Sequence, residues 1–150
     1  MQLAFSTNAY LNHSFADTCA RLAGIGYRGV EIMADVPHAW PAYLLPEHKR
    51  GLRDALTNNG LSIANVNAFM MHAVNDHRQK YWHPSWIEPD ANYRRVRIDH
   101  TKRALTLAKE LGAPCITTMS APASISACAQ DRRFPAAKLP PSRACNGGGR

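Results

Sequence analysis

The sequence predicts an α/β fold, about four βα units on a parallel sheet forming part of a (β/α)8 barrel and followed by a disordered tail. Three observations carry this reading. Strand-like and helix-like segments alternate strictly through residues 1–118, the connections running from helix to strand are short while those running from strand to helix are long, and the rhythm stops after residue 118. A chain of 150 residues with 45% hydrophobic content can bury a core of its own. A complete (β/α)8 barrel takes about 250 residues. The expected organisation is therefore a front half of a barrel over 1–118 and a tail over 119–150.

Residues 2–7 (QLAFST) form a short strand-like run. Ser14 stands three residues before Asp17, a capping-box start, and Phe15, Cys19, Leu22 and Ala23 then repeat on one helical face that ends at Gly24 and Gly26. Residues 28–33 (RGVEIM) make the second strand, and Glu47 to Asn58 the second helix, with Leu52, Ala55 and Leu56 inward and Asn59-Gly60 as its stop. LSIANVN, 61–67, is the third strand. A helix from about Asn92 to Leu111 puts Val96, Ala104, Leu105, Ala108 and Leu111 on one side, and Gly112 ends it before a fourth strand at 115–118. Strands joined through helices pair in parallel by right-handed crossovers, because an antiparallel pair needs no helix between its strands.

The long connections, roughly 34–46 and 68–91, gather at one end of such a sheet. They hold all three tryptophans (Trp40, Trp82, Trp86) together with His38, His72, His77 and His83, and His13 lies in the first strand-to-helix loop. In α/β barrels the loops after the strands carry binding and catalysis, and a long loop is more often a lid or a binding element than a bare connector.

Charge and cysteine content narrow the classes. The formal net charge is +7, but five bases against one acid fall in 119–150, so the body carries only +3. No CxxC pair joins Cys19, Cys115, Cys128 and Cys145, no charged n-region with an apolar run opens the chain, and no stretch approaches the roughly 20 apolar residues of a membrane span. The expectation is a reduced, cytoplasmic protein with no membrane partner. The absence of GxGxxG, P-loop and GxSxG patterns removes support for nucleotide cofactors and serine hydrolysis. Residues 119–150 have neither helical nor strand periodicity and are rich in Ala, Pro, Ser, Arg and Gly, which is the composition of a flexible tail and also of a GC-rich gene read out of frame.

Four segments, LAFSTNAYLNHSF, GYRGVEIMADVPHAWPAYLLPEHKRGLRDAL, NVNAFMMHAVND and the helix ending in AKELGAPCITT, resemble the xylose-isomerase-like TIM-barrel proteins that include sugar phosphate isomerases and epimerases. The resemblance spans about residues 1–118. It implies a metal-dependent isomerisation or epimerisation of a small sugar or sugar-like substrate, by proton transfer at the carbon next to a carbonyl. It also implies a divalent metal, commonly Mn²⁺, held by carboxylates and a histidine at strand ends in the second half of the barrel. Those positions have no counterpart here, so the expectation is that this chain does not bind the metal tightly and has no isomerase activity by itself. The superfamily also contains endonuclease IV-like repair enzymes, which gives a nucleic-acid-binding alternative. A third reading is a non-catalytic half barrel that self-associates through exposed strand edges.

Candidate residues follow from placement and chemistry. Glu31 alternates with Val30 and Ile32 and so faces away from them, and it matches the family's strand-two glutamate. It is read as a catalytic or substrate carboxylate, against the alternative of a buried glutamate paired to the next strand. His72 is the second catalytic candidate, since imidazole titrates near neutrality. Asn8, Asn67, His38, Trp40 and Trp82 are the substrate-binding candidates, the aromatics by stacking on a sugar ring or by packing a lid. No metal ligand is assigned, because the spacing of His72, His77 and His83 matches no compact zinc signature. Arg94, Arg95, Arg97, Lys102 and Arg103 form a basic helix face, ordinarily a solvated one.

Overall fold

A computed structural model describes residues 2–70 and 83–118. The expected tail therefore lies outside the described residues, as do His72, His77 and Trp82. Four strands, β1 (Ala4–Ser6), β2 (Gly29–Met33), β3 (Ser62–Asn67) and β4 (Ile116–Thr117), alternate with three helices, α1 (Phe15–Ile25), α2 (Pro46–Asn58) and α3 (Ala91–Leu111). The strands lie in the order β1-β2-β3-β4, every neighbouring pair parallel, as an arc of a barrel requires.

Local chemistry sets the boundaries. The first strand is shorter than the apolar run suggested, because Thr7 turns into a short 3-10 helix (Thr7–Tyr10). There its buried hydroxyl accepts the Met33 N–H at 3.0 Å, tying the end of β2 to the turn after β1. Ser14 caps α1 as anticipated: its Oγ accepts the Asp17 N–H at 3.1 Å and donates to the Asp17 carboxylate at 2.7 Å. Gly26, at φ 109°, closes that helix in the left-handed region. Pro46 opens α2 at a position where no intrahelical N–H is needed, and Asp90 caps α3 by accepting from Asn92 N at 2.7 Å.

The core sits between the sheet and the helices. Val30, Ile32 and Val66 project from the sheet into it, against Cys19 and Leu22 of α1, Leu52 and Leu56 of α2, and Leu107 of α3. Burying a side chain such as Leu22, with no exposed surface, contributes about 1.5–3 kcal/mol. Burial also pushes the Cys19 thiol up to about 11, so it is an inert thiol and behaves as a small hydrophobe.

The inward stripe of α3 differs from the expected one. Ala104, Ala108 and Leu111 do pack on the core, but Val96 and Leu105 are 42% and 49% exposed. The stripe runs instead through Arg97, His100, Ala104, Leu107 and Ala108, one continuous helical face whose first two members are polar. Apolar periodicity cannot announce such a face, because the buried groups at its start answer to backbone carbonyls. Arg97 is thereby removed from the solvated basic stripe: it is fully buried.

Candidate active-site face and its surroundings

Strand parity sends Val30 and Ile32 to the helices and Glu31 to the opposite, inner face of the sheet. A register shift then selects its partners. Val30 stands opposite Ile63 but Glu31 stands opposite Asn65, so Ala64 is an extra residue in β3. With Asn65 in register, Asn67 two residues on falls on the same face. The Asn65 amide donates to Glu31 Oε2 at 2.7 Å and to Thr117 Oγ1 at 2.8 Å, while the Asn67 amide donates to Glu31 Oε1 at 3.1 Å. Asn67 Oδ1 accepts the Phe69 N–H at 3.0 Å, which fixes the orientation of that amide.

Both oxygens of the Glu31 carboxylate are thus held by amides from the next strand, and β4 joins through Thr117. Glu31 and Asn67 remain half-buried and Asn65 is buried. A carboxylate with two oxygens has acceptor sites left after two such bonds, so the cluster presents an oriented acceptor at an accessible surface. Both sequence readings of Glu31, pairing with a neighbouring strand and availability to a ligand, are compatible with this geometry.

The other candidates fall elsewhere. Asn8 is exposed in the turn after β1, its backbone N–H bonded to Ser6 Oγ at 3.4 Å. His38 is buried beside Phe15 of α1, ring centroids 6.1 Å apart, and its Nε2 donates to the His13 carbonyl at 3.0 Å. Burial lowers its pKa, opposed by the carbonyls of His13 and Tyr10. Trp40 stacks on His100, centroids 4.8 Å apart and planes at 17°. Trp86 donates from Nε1 to Thr118 Oγ1 at 3.0 Å, tethering the long second loop to the end of β4.

Behind the strand ends lies a polar network that sequence reasoning missed. Arg97 donates from Nε to the Pro84 carbonyl at 2.8 Å and from Nη1 to the Ala68 carbonyl at 3.0 Å, and the charge of fully buried Asp35 supports it. His100 also bonds the Ala68 carbonyl; burial and then the Arg97 charge lower its pKa to about 4. This network clasps the start and the finish of the β3–α3 connection. Asn65 was legible in principle, since SIANVN places two asparagines at strand spacing, but its pairing with Glu31 depends on the bulge. Among the described residues no three or more His, Cys, Asp or Glu side chains converge as metal ligands. No helix there is long and apolar enough to cross a membrane.

Comparison with known proteins agrees with this architecture. A family profile described as xylose isomerase-like TIM barrel matches residues 19–138. A solved structure, a xylose isomerase-like TIM barrel protein from Mycobacterium smegmatis in complex with magnesium, superposes with a TM-score of 0.57 at 15% identity. The alignment covers 85% of this chain and 41% of that one. No curated protein matches the chain. With its parallel βα architecture and a family match over most of its length, the chain belongs to the xylose isomerase-like TIM barrel family.

Proposed function

We propose that the inner face around Glu31 is the wall of a sugar-binding site, and that the chain's parent activity is isomerisation or epimerisation of a small sugar or polyol. The observation that carries this reading is the Glu31 carboxylate, held on both oxygens by Asn65 and Asn67 on the inner face of the sheet. Family membership supports it, since in these barrels ligands meet the strand ends.

In this reading Glu31 accepts a hydrogen bond from a substrate hydroxyl beside the carbonyl and can take the proton of the adjacent carbon. The electron pair of the broken C–H bond moves toward the carbonyl to give an enediolate; in isomerisation the hydroxyl proton passes to the former carbonyl oxygen and Glu31 returns its proton to the neighbouring carbon, whereas epimerisation takes its proton from a second acid on the opposite face. Asn65 and Asn67 keep the carboxylate oriented, which limits the entropy lost on reaching the reactive geometry. His72, outside the described residues, is the second candidate for proton transfer. The described residues do not by themselves accommodate a divalent cation, and no step here depends on one.

The test is ligand-observed NMR with a panel of ketoses and polyols on the 150-residue chain, alongside Glu31→Gln and Asn67→Ala. Saturable binding weakened by about five- to tenfold in each variant is expected, from loss of one hydrogen bond apiece. Sugar signals unaffected by Glu31→Gln would place the site elsewhere. A parallel aldose–ketose assay with and without Mn²⁺ is expected to show no turnover, and turnover abolished by chelator and restored by metal would contradict that expectation.

A further inference from the structure

We propose that Thr117 is a second substrate contact on the inner face, its hydroxyl donating to a carbonyl oxygen while Glu31 accepts from the hydroxyl on the adjacent carbon. The ligand class this selects is an open-chain α-hydroxy ketone. The proposal rests on the reading of the Glu31 face as a sugar-binding wall, and adds to it the residue that recognises the carbonyl.

The Asn65 amide decides which groups donate. Its nitrogen lies 2.7 Å from Glu31 Oε2 and 2.8 Å from Thr117 Oγ1. A carboxylate has no hydrogen to give, so the end of the amide that faces it is the NH2, and a flipped amide would set oxygen against oxygen. The Cys115 thiol lies at the other end, 3.5 Å from Asn65 Oδ1. Both amide hydrogens are used within the fold, one on Glu31 and one on Thr117. Asn65, itself buried, therefore has none left for a ligand and acts as the positioning residue.

Thr117 is left with the opposite capacity. Its oxygen is the acceptor at the Asn65 contact, so its own hydrogen points elsewhere, and among the described residues no group takes it. Thr117 stands opposite Asn67 in the β3–β4 pairing, hence on the Glu31 side of the sheet, and it is exposed. One amide thus holds an acceptor and a donor side by side. The two N–H bonds of a planar amide diverge, which sets Glu31 Oε2 and Thr117 Oγ1 about 5 Å apart. An α-hydroxy ketone matches the pair group for group: its carbonyl oxygen only accepts, its hydroxyl donates, and adjacent carbons let a bond of ordinary length close at each end. The carbonyl oxygen is also the atom that gains negative charge when Glu31 takes the carbon-bound proton. A donor fixed on it is worth more in the enediolate than in the ketone.

The experiment is ligand-observed NMR on the 150-residue chain at pH 7.5 with dihydroxyacetone and with 2-methylene-1,3-propanediol, which keeps both hydroxyls and the planar centre but carries CH2 in place of the carbonyl oxygen. Dihydroxyacetone is expected to bind about five- to tenfold tighter, the worth of one net hydrogen bond. Thr117→Val, which keeps the branched shape in β4, and Thr117→Ala should each abolish that preference, and Thr117→Ser should restore it. If Thr117 served only to orient Asn65 and Glu31, its truncation would weaken both ligands alike and leave their ratio standing. A ratio that stands in both truncations would assign the carbonyl to the remaining amide hydrogen of Asn67 and overturn the proposal, as would equal affinities in the unchanged chain. Glu31→Gln should weaken both ligands with the ratio intact. Binding unchanged in Glu31→Gln, or no saturable binding of either ligand, would instead remove the sugar-binding wall and this proposal with it, so the two failures are told apart.

Discussion

Trp40 lies almost flat on His100, with ring centroids 4.8 Å apart and planes inclined by 17°, joining the segment after β2 to the middle of α3. The imidazole is 4% exposed, and burial together with the neighbouring Arg97 lowers its pKa to about 4. The stack is therefore one between neutral rings at physiological pH.

That depressed value gives stability a definite pH dependence. In the unfolded chain His100 takes up a proton near pH 6.5, whereas in the folded chain it resists protonation down to about 4. The unfolded state thus binds more protons between those values, and stability falls as pH drops through that window, by roughly 3 kcal/mol in total for this group. Urea unfolding at pH 7.5, 6.0 and 5.0 should show the decline, and His100→Phe should flatten most of it. An unchanged slope in the variant would mean that the titration belongs to other groups. His38, lowered in the same direction, adds a smaller decline that remains in His100→Phe.

Across β2 and β3, the contact of Glu31 with Asn65 at 2.7 Å should be energetically coupled. A double-mutant cycle with Glu31→Ala and Asn65→Ala is expected to return a coupling of about 1–2 kcal/mol, since hydrogen bonds to charged groups exceed neutral ones. Additivity within about 0.3 kcal/mol would reduce the pair to mere proximity.

Arg97 and Arg95, two residues apart on α3, should behave in opposite ways. Arg95 is exposed, and Arg95→Met is expected to shift stability by less than about 0.5 kcal/mol. Arg97→Met removes two charge-assisted bonds to the Pro84 and Ala68 carbonyls and leaves Asp35 buried without that charge, for a loss of about 3–5 kcal/mol. Lysine should not rescue it, because one ammonium cannot reproduce the planar fork that meets both carbonyls. Equal denaturation midpoints for the two methionine variants would refute the assigned role.

The contrast between these arginines also shows what the sequence could and could not disclose. Where apolar spacing governs, as for Phe15, Cys19 and Leu22 in α1, the buried face was legible, and the Ser14 cap and the left-handed Gly26 were legible with it. The order and parallel pairing of the strands followed from alternation with helices. Arg97 and His100 were hidden because their partners are main-chain carbonyls, Ala68 and Pro84, which every residue type possesses. Parity alone places Glu31 on the inner face, but it does not identify Asn65 as its partner. The extra residue at Ala64 that brings the two opposite each other leaves no mark in composition or period. His38 and Trp40 were singled out by type and loop position, and what the spacing could not tell is that one packs beside α1 and the other on α3.

The Arg97 clasp has a consequence for how such a protein can vary. By gripping the carbonyls of Ala68 and Pro84 at once, one guanidinium holds the residue that follows β3 against the segment that leads into α3. The end of β3 and the approach to α3 therefore share a single side chain, so whatever loosens Arg97 loosens both at once.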